Sequence, residues 1–408
     1  MNDDLGLFAD DAGQEPDPRE REDVERERFR RRRRRRLVTA LAGVLVLLVV
    51  AGGAVYGVLQ LVTLGSYPDY EGSGTGRVVV EVQQGDTTSA IARTLAEEDV
   101  VASPAAFVKA AEGNEKITAI QPGFYSMRER MSGAAAVRRI VSDEARAGRV
   151  EIRGGMRFAD HVGPDGEVVP GVLSLLARAS CGAGENEGSG DCVGKEELAG
   201  AAAETPLGEL GVPDWALAEA KRAPDPQRRL EGLVLPGIYH VKPTAGAPEI
   251  LRSVLNSSFE KMRAAGLPDI AEGTGHSPYE LVKIASLVQS EAIRKDFGRV
   301  ARVIENRLDI DMRLQLDSTI NYLLEEPSLL TEDEHRAKEG PYNTYRVTGL
   351  PPTPISAPST EAIEAAADPP EGDWKYFVKC QKDGTSCFSE TIEGHERAKD
   401  KAERNGAY

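Results

Sequence analysis

One glutamate in this sequence is well placed for acid–base chemistry. The segment KIASLVQSEAI, residues 283–293, predicts a helix with Ile284, Leu287 and Val288 on its buried face. Glu291 follows them at helical spacing and therefore lies on the same face. Burial without a cationic partner raises the pKa of a carboxyl group and keeps it protonated. A protonated carboxyl is what a general acid at a glycosidic oxygen requires.

A structural role for Glu291 is the alternative interpretation. The charged turn RKDFG follows this helix, so Glu291 lies near a helix end that opens on a cleft. The segment GRVARVIENRLDIDMRL then predicts a second helix with a core face formed by Val300, Val303, Ile304 and Leu308. Arg294 or Arg302 could pair with Glu291 in a salt bridge, and ion pairs commonly shift carboxylate pKa values.

The N-terminal part of the chain predicts a membrane anchor. Seven consecutive arginines, residues 30–36, precede an uncharged apolar segment, residues 37–64. About 20 apolar residues span a bilayer, so this segment predicts a single transmembrane helix with the arginines on the cytoplasmic side. The segment exceeds the apolar length of a cleaved signal peptide. Residues 1–36 predict a disordered cytoplasmic tail, and the rest of the chain is expected outside the cytoplasm.

Charge and cysteine spacing exclude several classes of function. The net charge of −16 argues against nucleic acid as a partner. Cys181 and Cys192 bracket a Gly-rich insertion, and Cys380 and Cys387 flank QKDGTS, where a two-residue turn would place them opposite each other. Two disulfides are favoured over zinc in an extracytoplasmic chain. The sequence contains no phosphate-binding Gly loop, HExxH or GxSxG motif, so we expect no cofactor and no metal.

The extracytoplasmic part divides into a linker, residues 65–76, a small module, residues 77–127, and a larger domain, residues 128–408. The module has a strand at 78–82, a helix capped by Thr87, and ITAIQPGFYSM as a second strand. Its Val-x-x-Gly-Asp-Thr pattern resembles a LysM-type module, a fold that binds N-acetylglucosamine chains. A spacer without sugar affinity is the alternative.

The larger domain alternates helical and strand-like segments, and the predicted fold class is α+β. A helical catalytic core with antiparallel strands is expected. Residues 178–210 predict an inserted loop and a surface helix.

Five motifs occur in register with a known family. They are LEGLVLPGIY, IASLVQSEA with ENRL, MRLQLDST, GPYNTYRVTGLPPTPISAPS and YFVKCQKDGTSCFSET. Over residues 37–408 the chain resembles the YceG-like family of endolytic murein transglycosylases. The resemblance implies cleavage of the β-1,4 bond between N-acetylmuramic acid and N-acetylglucosamine in nascent peptidoglycan strands, without water and with a 1,6-anhydro end. It also implies a bacterial cell membrane location and a role in ending strand elongation beside peptidoglycan synthases.

The resemblance assigns Glu291 as the catalytic acid and implies substrate-binding roles for a further set of polar and aromatic residues. These are Glu231, Asn306, Gln315, Asp317, Ser318, Tyr342, Asn343, Thr344 and Tyr345. Turn caps, core aromatics and scaffold residues are the alternatives for members of this set. The sequence departs from the family pattern at Ser318, Gln289 and Ser386, where Pro, Glu and His are usual.

Two other functions stay open from sequence. A muramidase that uses water would need a nearby second carboxylate, with Asp317 or Glu305 as the candidates. A membrane-anchored peptidoglycan-binding scaffold would leave the large domain without activity. The glutamate on an apolar face argues against the scaffold.

Overall fold

The computed structural model describes residues 50, 52, 67–163, 165–181, 192–324 and 333–407. The chain divides into two compact units, Met1–Pro68 and Asp69–Tyr408. Within the described residues no helix has the length and apolarity that a membrane span requires. The predicted span at 37–64 and the predicted tail at 1–36 lie outside the described residues, apart from Val50 and Gly52.

The second unit begins with a sheet of three antiparallel strands in the order β1-β2-β3. The strands are β1 (Ser73–Val82), β2 (Gly123–Met131) and β3 (Arg146–Ala147). Three helices accompany them: α1 (Thr88–Glu97), α2 (Pro104–Ala111) and α3 (Gly133–Ile140). The side chain of Thr87 caps α1 as predicted, and Ile91, Ala92 and Leu95 face the core. This core is separate from the larger core that follows along the chain.

Three predicted boundaries in this region differ from the structure. The first three residues of ITAIQPGFYSM belong to a 3-10 helix, Glu115–Ala119, because Asn114 caps that turn, and β2 begins only at Gly123. The predicted domain boundary after residue 127 therefore falls inside β2. Apolar residues as far as Ala145 belong to the first core. The predicted linker at 65–76 also overlaps the start of β1 at Ser73.

The larger region is mixed α and β, and every strand pair in it is antiparallel. Its strands are β4 (Arg149–Ile152), β5 (His161–Val162), β6 (Val168–Val169), β7 (Gly237–His240), β8 (Tyr376–Lys379) and β9 (Ser386–Ser389). Its helices are α4 (Val172–Ser180), α5 (Lys195–Glu204), α6 (Asp214–Ala220), α7 (Ala247–Ala264), α8 (Pro278–Glu291), α9 (Phe297–Leu308), α10 (Asp317–Asn321), α11 (Asp333–Ala337), α12 (Thr360–Ala367) and α13 (Ile392–Asn405). The strands pair as β4-β7, β5-β6 and β8-β9.

Helix α8 is the central element of the larger core. A capping box begins it, in which Ser277 accepts a hydrogen bond from Glu280 N and the Glu280 side chain accepts one from Ser277 N. The predicted face formed by Ile284, Leu287 and Val288 is fully buried. Burial extends around the rest of α8 because α6, α9, α10 and α12 all pack against it.

The predicted insertion at 178–210 differs from expectation. A disulfide joins Cys181 to Cys192 across residues that lie outside the described part of the chain. Helix α5 follows, and it packs against α4 and α7 and does not lie free on the surface. Leu198 of α5 and Leu210 after it are fully buried, so this segment contributes to the larger core.

The C-terminal hairpin β8-β9 has a different register from the predicted one. The strands pair Val378 with Cys387, because the N–H groups of Cys380 and Gln381 both bond to the carbonyl oxygen of Thr385 and lengthen the loop. The disulfide still joins Cys380 to Cys387. The buried carboxylate of Asp296 accepts a hydrogen bond from Ser386 N at 2.8 Å, which fixes the hairpin to the turn between α8 and α9.

Candidate active site

Glu291 is the last residue of α8. The chain leaves the helix directly after it, because Ala292 adopts an extended conformation with φ −131° and ψ 162°. The carboxyl group therefore stands at the C-terminal end of a 14-residue helix. Exposed carbonyl groups give this end of a helix a partial negative charge, which disfavours a carboxylate and favours the protonated acid.

Glu291 lines a cavity of about 410 Å³. The end of α8 forms one wall of the cavity, and the start of α10 forms another. The remaining walls come from the loop after β4, strand β5, the end of β8 and the segment GLPPTPISAP, residues 349–358, which we call the Pro-rich loop. The lining residues other than Glu291 are Gly155, Arg157, His161, Val162, Gln289, Ser290, Asp317, Ser318, Asn321, Ile355, Ser356 and Lys379.

The surroundings of Glu291 raise the pKa of its carboxyl above the usual value, and the largest cause is burial. A hydrogen bond from Ser318 N to Glu291 Oε1, 3.2 Å long, and the positive charge of Lys379 act in the opposite direction. The negative charge of Asp317 raises the pKa further. The net effect favours a protonated carboxyl at the edge of an open cavity.

The alternative salt bridges of Glu291 do not form among the described residues. Arg294 pairs with Glu361 at 2.6 Å. Arg302 donates hydrogen bonds to the carbonyl oxygens of Pro369 and Pro370. Lys379 is the cation whose charge acts on Glu291 most strongly, and it shares the cavity with it.

Asp317 is the second carboxylate of this cavity. It lies in the first turn of α10 and accepts a hydrogen bond from the hydroxyl of Tyr345 at 2.6 Å. Its other oxygen lies 3.6 Å from a guanidinium nitrogen of Arg336. Burial and the bond to Asp317 raise the pKa of Tyr345, which therefore stays a donor. Asp317 therefore has two partners from the protein, Tyr345 and Arg336, at its place on the cavity wall.

Thr344 joins the strand-like segment before α10 to the loop that carries Tyr345. It is fully buried, and its hydroxyl accepts a hydrogen bond from Leu316 N at 2.9 Å. Its carbonyl accepts one from Gln315 N at 3.1 Å. Thr344 therefore positions Asp317 and Ser318 from behind the cavity wall.

The remaining residues of the predicted set do not line the Glu291 cavity. Tyr342 is buried, bonds to the hydroxyl of Thr353 and packs against Tyr322, as a core aromatic does. Asn343 holds its own loop by donating to two carbonyl oxygens. Asn306 donates to the carbonyl oxygens of Gly372 and Trp374 and so fixes the segment before β8. Gln315 is exposed and adopts a positive φ of 50°.

Glu231 lies beside a second cavity of about 450 Å³ and is only 3% exposed. Its carboxyl accepts hydrogen bonds from Phe158 N at 2.9 Å and from the hydroxyl of Tyr322 at 3.0 Å. Burial raises the pKa of Glu231 to about 7, although these bonds and the charges of Arg157 and Arg228 oppose the shift. Glu231 thus joins the loop after β4 to the chain that follows α10.

Three basic side chains of the cavity were not predicted from sequence: Arg157, His161 and Lys379. Arg157 and His161 come from the segment after IRGGM, where the chain matches the family pattern poorly. Lys379 on β8 directly precedes Cys380. Its position in the cavity wall can be predicted only with the correct register of the β8-β9 hairpin. A basic residue close to a family motif was the available signal in each case. Among the described residues, no group of three or more His, Cys, Asp or Glu could hold a metal ion.

Gln289 and two serines connect α8 to the Pro-rich loop. The side-chain oxygen of Gln289 accepts a hydrogen bond from Ser359 N at 3.0 Å. The hydroxyl groups of Ser290 and Ser356 lie 2.9 Å apart. Position 289 carries an uncharged amide. Glu291 and Asp317 are therefore the two carboxyl groups among the residues that line this cavity.

Comparison with known proteins shows a family match and proteins of similar sequence. The model of the YceG-like family matches residues 80–401. A protein of Bacillus subtilis (strain 168) named endolytic murein transglycosylase is 28% identical over 338 residues, which are 79% of this chain and 84% of that protein. A protein of the same name from Streptococcus pneumoniae (strain D39) is 31% identical over 175 residues, which are 41% of this chain and 31% of that protein.

A solved structure has a similar fold. The crystal structure of a YceG-like protein from Listeria monocytogenes aligns with a TM-score of 0.51 and 22% sequence identity. The alignment covers 79% of this chain and 99% of that chain. At this level of identity the likeness concerns the fold alone.

Proposed function

The chain belongs to the YceG-like family, and we propose that it is an endolytic murein transglycosylase with Glu291 as its catalytic acid and base. The observation that carries the role of Glu291 is its carboxyl group with a raised pKa at the edge of an open cavity. The names of the relatives supply the reaction class. The enzyme is a lyase that breaks a glycosidic bond of peptidoglycan without adding water.

The first half of the reaction uses the proton of Glu291. The carboxyl donates it to the oxygen between C1 of N-acetylmuramic acid and C4 of N-acetylglucosamine. The C1–O bond breaks, and the N-acetylglucosamine fragment leaves with a free 4-hydroxyl group. The positive charge that develops at C1 and the ring oxygen lies near the new carboxylate of Glu291 and the carboxylate of Asp317.

The second half returns the proton to Glu291. The carboxylate removes the proton of the muramoyl C6 hydroxyl, whose oxygen attacks C1 and closes a 1,6-anhydro ring. Atoms balance without water, and the acid is regenerated. Because the attacking hydroxyl belongs to the same sugar, the reaction benefits from intramolecular proximity. One residue that changes between acid and base suffices for both steps.

A muramidase that uses water is the second candidate, because Asp317 lies in the same cavity as Glu291. A hydrolase of this kind uses two carboxyl groups, one as the acid and one as the base or nucleophile, and Asp317 is the second carboxyl group that lines this cavity. The other sequence candidate, Glu305, instead pairs with His276 at 2.8 Å and does not line the cavity.

Product masses separate the two reactions. The full-length protein, purified in detergent, is incubated with uncrosslinked glycan strands, and the fragments are analysed by mass spectrometry. Fragments one water lighter than hydrolysis products identify the transglycosylase. Fragments of hydrolytic mass identify a muramidase and overturn the proposal.

The matched variants are Glu291→Gln and Glu364→Gln, the latter at an exposed position on α12. We expect the first to lose the anhydro products and the second to retain them. Retained binding of glycan by Glu291→Gln excludes a change in fold. Full activity of Glu291→Gln would show that another residue supplies the proton.

We propose a single-pass location in the bacterial cell membrane, with the catalytic domain outside the cytoplasm. The arginines at 30–36 and the uncharged apolar segment at 37–64 support it. Cleavage of nascent strands next to this membrane would end their elongation beside the peptidoglycan synthases. Glycan binding by the LysM-like module remains a proposal that rests on its sequence pattern.

A further inference from the structure

The second cavity, of about 450 Å³, is continuous in its lining with the Glu291 cavity. Arg157, His161 and Val162 contribute to the walls of both. A ligand that occupies the Glu291 cavity therefore has a neighbouring space for a substituent. The reaction proposed above uses the first cavity and leaves the second without a role.

Three cationic side chains line this second cavity: Arg157, Arg228 and Lys195. Arg157 and Arg228 both stack on the ring of Tyr322, with the guanidinium carbons 5.6 and 4.6 Å from its centroid. The stacking fixes the planes of the two guanidinium groups. Burial lowers the pKa of Arg157, which shows that its charge is poorly solvated. An anionic ligand would replace the lost solvation.

The carboxylates of the same cavity already have donors from the protein. Asp160 accepts hydrogen bonds from Gly171 N at 2.7 Å, from the Ser174 hydroxyl at 2.8 Å and from Lys195 at 3.1 Å. Glu231 has two donors and is almost completely buried beneath the cavity surface.

Asp225 also lines this cavity and accepts hydrogen bonds from Gln227 N at 2.9 Å and from Arg228 Nε at 3.2 Å. The three cations and the three carboxylates balance in formal charge, but the oxygens of Asp160, Asp225 and Glu231 already accept hydrogen bonds, and burial raises the pKa of Glu231 to about 7. A guanidinium group has five N–H donors in a planar fork and matches a carboxylate. The wall of the cavity is therefore richer in donors than in acceptors.

We propose that this second cavity binds a free carboxylate of the short peptide that muramoyl residues carry. The inference rests on the proposed function, because the peptide hangs from the sugar that would occupy the Glu291 cavity. Arg228 and Arg157 are the carboxylate-binding residues, and Lys195 adds positive charge at the side. The enzyme would thus distinguish peptide-bearing strands from peptide-free ones.

Three substrates test the proposal with the full-length protein: glycan strands with their peptides, strands freed of peptides by an amidase, and strands whose peptide carboxylates have been converted to amides. Initial rates of anhydro-product formation are compared. We expect the wild type to cleave the first at least fivefold faster than the second and third. Equal rates on the first and third strands would overturn the proposal.

The variant Arg228→Gln tests the residue. We expect its ratio of rates, peptide-bearing to peptide-free, to fall close to one, and Arg228→Lys to restore a ratio above one. The control Arg153→Gln replaces an arginine whose side chain is 79% exposed and lines neither cavity, and its ratio should equal that of the wild type.

An Arg228→Gln variant that slows cleavage of both strands by the same factor would assign Arg228 a purely structural role through Tyr322 and would overturn the inference. Failure of the proposed function gives a different result, because the wild type would then form no anhydro product from any of the three substrates.

Discussion

Two glutamates with raised pKa values, Glu291 and Glu231, show how burial can serve different ends. Burial is the largest cause of the shift in both. Glu231 is enclosed by a backbone N–H group, a tyrosine hydroxyl and two guanidinium groups. Glu291 stands at a helix end beside a cavity, and Lys379 is the cation whose charge lowers its pKa most.

The two glutamates differ in the groups that a change in their protonation would affect. Glu231 is 3% exposed, and each of its oxygens accepts a hydrogen bond from the protein, so the loss of its proton alters the contacts that join two loops. A proton on Glu291 faces the space that a glycan would fill. A raised pKa therefore marks a candidate catalytic acid only together with access to a cavity.

Exchange of each glutamate for glutamine gives the largest expected contrast. Glu291→Gln should lower the rate of anhydro-product formation by about 10³-fold, because general acid catalysis is worth about 10² to 10⁴. Glu231→Gln keeps an oxygen that accepts hydrogen bonds and should retain activity within about tenfold of the wild type. Rates on uncrosslinked strands measure both. Equal losses would remove the distinction between the two residues.

Truncation should reverse the order of the two residues in stability. Glu231→Ala leaves Phe158 N–H and the Tyr322 hydroxyl without their acceptor and should lower the free energy of unfolding by about 3 kcal/mol. Glu291→Ala removes a partly exposed side chain and should cost much less. Denaturant unfolding followed by circular dichroism measures both variants. A similar loss in the two would mean that Glu291 also supports the fold.

The pH dependence of stability should carry a contribution from Glu231. Its folded-state pKa of about 7 lies above its ordinary value of 4.5, so the folded state binds the proton more tightly. The stabilising contribution is complete below about pH 4.5 and is lost as the pH rises to about 7. The stability of the wild type relative to Glu231→Gln should therefore fall across this window. A constant difference would contradict the shift.

The smallest effect concerns Lys379, whose charge lowers the pKa of Glu291. Lys379→Met should move the alkaline limb of the pH–rate profile to higher pH, by less than about one unit for an exposed cation. Lys379→Arg keeps the charge and should leave the limb in place. Initial rates across the pH range measure both variants.

Asp317→Asn provides the test of opposite sign, because the charge of Asp317 raises the pKa of Glu291. Its alkaline limb should move to lower pH. Shifts of Lys379→Met and Asp317→Asn in the same direction would show that the limb does not report Glu291.

Sequence reasoning predicted the elements with a strong local signal. The helical spacing around Ile284, Leu287 and Val288 predicted α8, and all three residues are buried. The mixed α and β class with antiparallel strands is also confirmed. The spacing of the four cysteines predicted the two pairs that the structure joins.

The contents of the cavity were harder to predict, because they depend on contacts between distant segments. Asp317 and Ser318 reach Glu291 only because α10 packs against α8. Arg157 lies in a loop that is held by the hydrogen bond from Phe158 N to Glu231, a residue 73 positions further along the chain. Polar character alone could not separate Asn343 and Tyr342, which support the fold around the site, from Asp317, which lines it.

The position of Glu291 on α8 also affects how the enzyme could diversify. Four other helices pack against α8, so its backbone is rigidly held, and Glu291 is its last residue. Shifting that end would require repacking the larger core. Strand β5, on another wall of the cavity, belongs to a hairpin whose second strand is exposed, with Val168 at 65%, and this hairpin can change length or composition at little cost to the core. If Glu291 is the catalytic acid as proposed, substrate preference can change among relatives while the core keeps its carboxyl group in place.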